Sequence, residues 1–81
     1  MAIEPVEHRI REVKKRHEAA LLATPGVVGV GISEIRDGYG RRHLCIRIYV
    51  EMRDEAILRG LPKEIEGFAT DIKAVGRSRL L

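Results

Sequence analysis

The run that most limits the fold is His-Leu-Cys-Ile-Arg-Ile-Tyr-Val-Glu at 43–51. Leu44, Ile46, Ile48 and Val50 alternate with His43, Cys45, Arg47, Tyr49 and Glu51. A period of two puts the four aliphatic side chains on one face of a strand and leaves the other face mostly polar. Such a strand needs a sheet neighbour, and its apolar face needs a cover. The neighbour lies upstream at 27–35, Val-Val-Gly-Val-Gly-Ile-Ser-Glu-Ile. Here Val28, Val30 and Ile32 share one face, and Val27, Gly29, Gly31, Ser33 and Ile35 share the other. The intervening Arg36-Asp37-Gly38-Tyr39-Gly40-Arg41-Arg42 is polar and contains Asp-Gly, a hairpin signal. The two runs are therefore expected to form an antiparallel pair.

The cover is expected from residues 5–24. Val6, Ile10, Val13, His17 and Leu21 recur at three- and four-residue spacings and form one helix stripe. The remaining faces carry charge, with Glu7–Arg11 and Glu12–Arg16 at the favourable i,i+4 spacing. Pro5 suits a first turn, and Thr24-Pro25-Gly26 ends the helix. Downstream, Asp54 is placed to cap a short helix over 54–60, which Gly60 ends. Leu61–Gly67 reads as an irregular connection, and 68–76 as a third strand. Arg77-Ser78-Arg79-Leu80-Leu81 reads as a basic tail.

The expected fold is α+β, one domain over 1–81 in the order α-β-β-α-β, with a three-stranded sheet covered by helices. It is related to a ferredoxin-like unit that lacks its first strand. A chain of 81 residues buries only about 60–65% of the surface its unfolded form exposes. Tyr39, Tyr49 and Phe68 are its only aromatic residues, so Ile, Leu and Val must supply most of the core. Cys45 is the only cysteine, so the core gains no internal disulfide. A limited core and exposed strand edges together favour assembly. A glycine pair on one strand face has a physical use where another backbone approaches closely. Gly29 and Gly31 are therefore the candidate interface or close-packing residues.

Several stretches together carry a family likeness. They are Thr24-Pro25-Gly26-Val27-Val28-Gly29-Val30-Gly31-Ile32, Cys45-Ile46-Arg47-Ile48-Tyr49-Val50-Glu51, Leu61-Pro62-Lys63-Glu64-Ile65-Glu66-Gly67, and Thr70-Asp71-Ile72 followed by Val75-Gly76. In this order, over about residues 21–76, the chain resembles the segment preceding the trypsin-like domain of narrow-leaf-type serine proteases and related bacterial proteins. The protease chemistry of that family lies in the downstream domain, and no position here matches its catalytic residues. The resemblance thus implies an accessory module and assigns no catalytic residue.

The chemical alternatives are weaker. Gly26, Gly29 and Gly31 follow a helix and enter a strand, whereas a phosphate cradle opens a helix, and the Gly-Lys-Ser/Thr of a P-loop is missing. His8, His17, His43 and Cys45 are the candidate metal ligands; His43 and Cys45 would lie on one strand face, and only His17 or His8 could complete the three or four ligands a zinc site needs. The same pair could serve a small oligomeric enzyme as base and nucleophile, yet no orienting group or oxyanion hole is evident. Glu51, Asp54, Glu55, Glu64 and Glu66 read as solvated acids.

Charge is mildly basic, 15 Lys+Arg against 12 Asp+Glu. Arg9, Arg11, Lys14, Lys15 and Arg16 on the helix, with Arg36, Arg41 and Arg42 at the hairpin tip, could track a phosphate backbone, and Tyr39 could stack on a base. Interleaved acids make nucleic acid the less favoured partner. The expectation is a non-enzymatic, cytoplasmic module without cofactor, metal or membrane span, which self-associates or docks on a partner protein.

Overall fold

A computed structural model describes residues 5–76; the basic tail with Arg77 and Arg79 lies outside them. Helix α1 spans Val6–Leu22, strand β1 Val27–Arg36 and strand β2 Arg42–Val50. Helix α2 (Glu55–Arg59), strand β3 (Glu64–Ile65) and strand β4 (Phe68–Ala74) follow. The carbonyl of Pro5 accepts from the N–H groups of His8 and Arg9 at 3.0 and 3.1 Å, and Pro5 makes no side-chain capping bond. Asp54 caps α2 by accepting from Ala56 N–H at 2.8 Å.

β1 and β2 pair antiparallel, with Val30 opposite Ile48 and Ile32 opposite Ile46. Ile10, Val13 and Leu21 of α1 meet Ile46, Ile48 and Val50 of β2 in the core, joined by Val27, Leu61, Ile65 and Phe68. Ile10, Ile46, Ile48 and Val50 lose all contact with solvent. Each such side chain contributes about 1.5–3 kcal/mol of burial. Ile57 of α2 packs against the same cluster, so both helices lie on one side of the sheet. The other side carries no helix among the described residues.

Two expectations need correction. The sheet has four strands, not three, in the order β1-β2-β4-β3. The extra strand lies within 61–67, read above as irregular. Glu66 and Gly67 both take positive φ, 47° and 88°. That is the two-residue turn that matches the twist of a hairpin, and it pairs Ile65 with Phe68.

The sequence leaves the strand order open, and the structure supplies it. β4 lies directly against β2 and runs parallel to it, Ile46 opposite Thr70 and Val50 opposite Ala74. A parallel neighbour needs a long crossover, which residues 51–67 supply. This arrangement does not confirm the ferredoxin-like relation. The second correction is to the faces of β1. A bulge between Val27 and Gly29 turns Val27 into the core and leaves Val28 42% exposed.

Gly26 requires its glycine twice over. Its φ is +88°, and a Cβ there would collide with the Ile57 side chain.

Candidate functional site

The backbone of β1 defines the first candidate. Asp37 N–H donates to the Arg41 carbonyl at 3.0 Å, and Glu51 N–H donates to the Gly26 carbonyl at 2.9 Å. In an antiparallel ladder, bonded and non-bonded pairs alternate. Carried along the observed register, both bonds put Gly29–Tyr49, Gly31–Arg47 and Ser33–Cys45 at the bonded positions. Val30, Ile32 and Glu34 then direct their N–H and C=O groups away from β2. Val75 N–H donates to the Val50 carbonyl at 2.9 Å, in keeping with even-numbered β2 residues facing β4. β1 stands at the end of the strand order, so the outward groups have no strand partner among the described residues.

Beside this edge lies a groove of about 530 Å³ lined by Arg11, Lys14, Lys15 and Glu18 of α1 and by Val30, Gly31 and Ile32 of β1. Its floor is apolar, and Ile32 remains 37% exposed. Lys14 and Glu18 pair at 3.0 Å along the helix.

Gly29 and Gly31 meet a different neighbour from the one their spacing suggests. A Cβ on either would lie 3.4 Å from the Tyr49 ring. Tyr49 therefore lies across both glycines, on the sheet face away from the helices. The approach comes from a ring in the adjacent strand, the arrangement by which an aromatic covers glycines of an edge strand. On the same face Arg47 pairs with Asp71 across β2 and β4 at 2.9 Å.

At the hairpin tip Asp37 organises the loop. Its Oδ1 accepts from the N–H groups of Tyr39 at 2.8 Å and Arg41 at 3.0 Å, and its Oδ2 meets His43 Nε2 at 2.8 Å. The His43 bond, aided by Arg41 N–H, holds the Asp37 carboxyl below the ordinary carboxylate range. The predicted nucleic-acid residues converge here. Tyr39 is 85% exposed, and the Arg41 guanidinium sits 5.2 Å from its ring centre. Their charges also have local partners. Arg36 donates to the Gly40 carbonyl at 3.0 Å, Arg41 meets Asp37 at 3.3 Å, and Arg42 lies 3.9 Å from Glu34.

His43 and Cys45 share a strand face, but their states differ. Cys45 is buried, and burial, with Asp71 nearby, pushes its thiol pKa up, away from the reactive thiolate. No group of three or more potential metal ligands occurs among the described residues. Among these residues, too, no helix is long and apolar enough to cross a membrane.

One cluster escaped the sequence. Glu66, at the tip of the β3–β4 turn, accepts from Arg16 Nη2 at 2.8 Å and Nε at 3.2 Å, and meets His17 Nε2 at 2.7 Å. Arg16 thus turns to Glu66 and not to the expected Glu12. The Arg16 bonds, then the His17 bond, bring the Glu66 carboxyl down from 4.5 to about 2. Only the Glu66-Gly67 dipeptide between apolar residues hinted at this turn. The adjoining cleft of about 400 Å³ includes Arg9, whose guanidinium lies 5.6 Å from the Phe68 ring centre.

No family model matches the chain, and the searches of curated proteins and of solved structures returned no significant similarity.

Proposed function

We propose that this domain is a non-enzymatic interaction module that self-associates by adding a strand at the edge of β1. The carrying observation is the edge itself, ten residues long, whose Val30, Ile32 and Glu34 turn their backbone groups outward beside an apolar-floored groove. An unpaired edge of this length is a template for another strand unless something blunts it. The accessory-module resemblance and the inert environment of Cys45 support the same reading.

Sedimentation equilibrium tests it with a pair of proline variants. Ile32→Pro removes an outward N–H, a position where an edge strand accepts proline. It is expected to stay folded and become monomeric. Gly31→Pro removes an inward N–H and is expected to loosen β1 from β2. Wild-type protein that stays monomeric at hundreds of micromolar would end this reading.

Single-stranded nucleic acid is a second reading, favoured by the exposed Tyr39–Arg41 stack. It predicts salt-sensitive filter binding that Arg41→Glu and Arg42→Glu weaken together without unfolding the domain. Equal binding by wild type and the double variant would remove it.

A further inference from the structure

Resting on the self-association reading, we infer that the occupant of the β1 groove is a second copy of this chain, related by a two-fold axis at Gly31. The groove has a centre that both of its walls share. Val30 and Ile32 flank Gly31 on the strand, while Arg11 and Glu18 flank Lys14 and Lys15 on the helix. An isologous contact brings the same surface against itself, so residues on either side of the axis exchange.

With the axis at Gly31, Val30 of one copy lies opposite Ile32 of the other. Both turn their N–H and C=O groups outward, so this pair exchanges ladder bonds. Their side chains add an apolar cross-strand pair on the helix side. Gly31 meets Gly31 at a non-bonded position, where Cα atoms approach to about 4.5 Å. Glycine suits that spacing.

The helices then lie side by side and antiparallel on one face of a continuous sheet. Arg11 of each copy comes beside Glu18 of the other. Arg11 has no ion-pair partner among the described residues, and Glu18 already holds Lys14 at 3.0 Å. Each Glu18 would bridge Lys14 of its own copy and Arg11 of the other. Lys14 and Lys15 repel their symmetry mates near the axis, and their long stems let the ammonium groups turn out to solvent.

Charge exchange tests the arrangement. Arg11→Glu sets two carboxylates against each other at each of these contacts, and Glu18→Arg sets two guanidinium groups against each other. Each variant is therefore expected to dimerise about tenfold more weakly than wild type. Mixing the two variants restores opposite charges at both contacts of the mixed dimer. Native mass spectrometry of the equimolar, isotope-distinguished mixture should show the mixed dimer exceeding either homodimer by about tenfold, with circular dichroism confirming folded variants. Wild-type dimers with a statistical mixture of the variants would overturn the axis and leave self-association standing. Monomeric wild type would overturn both. Binding of an alternating Glu-Val peptide by monomeric wild type would assign the groove to an acidic partner instead.

Discussion

At one edge of the sheet β3 contributes two residues; at the other β1 runs for ten. The β3 edge carries Glu64, follows Pro62 and Lys63, and ends in a turn that Glu66 fastens to α1 through Arg16 and His17. Shortness, charge and a nearby proline are the usual means of keeping an edge from pairing. β1 has none of them over its central Val28–Ile32 stretch, and its one irregularity, the bulge, lies at its start. A small sheet that is closed at one edge and left open at the other has a direction in which it can grow.

The largest expected effect breaks the open edge from within. Gly31→Pro should cost about 3 kcal/mol, through a lost ladder bond and ring clash, read as a lowered denaturation midpoint. Tyr49→Ala comes next. It uncovers Gly29 and Gly31 and is expected to cost about 1–2 kcal/mol by the same measurement. A cost indistinguishable from zero would mean that the ring does not support β1.

The closed edge gives a smaller, pH-dependent effect. A carboxyl whose pKa falls on folding stabilises the folded state at pH above its unfolded value. For Glu66 that contribution is complete above about 4.5 and disappears as pH falls toward about 2. Glu66→Gln should therefore lower the melting temperature at neutral pH and flatten its decline across that acid window. Parallel wild-type and variant curves from pH 2 to 5 would contradict the lock at Glu66. Ile32→Pro sharpens the comparison most selectively, since it should leave monomer stability within about 1 kcal/mol while closing the open edge.

Much of this fold was legible locally. The helix stripe gave Ile10, Val13 and Leu21, the alternation gave Ile46, Ile48 and Val50, and Asp54 marked α2. What stayed hidden depended on residues far apart in sequence. A two-residue strand has no period to detect, so β3 was missed, and with it the parallel placement of β4 against β2. Gly29 and Gly31 were legible as a site of close approach, but the approaching group, Tyr49, emerges only from the register. Arg16, His17 and Glu66 meet across the chain, and helix spacing pointed Arg16 at Glu12 instead. The hairpin-tip cluster was legible because it is local, though the role of Asp37 in arranging it was not.

In the proposed assembly β1 is an edge kept open for a second copy. Sedimentation equilibrium of wild type beside Ile32→Pro tests it most directly. Wild type is expected to approach the mass of two chains as concentration rises, and Ile32→Pro to remain at the mass of one with unchanged circular dichroism. Wild type and variant of equal mass at every concentration would contradict it.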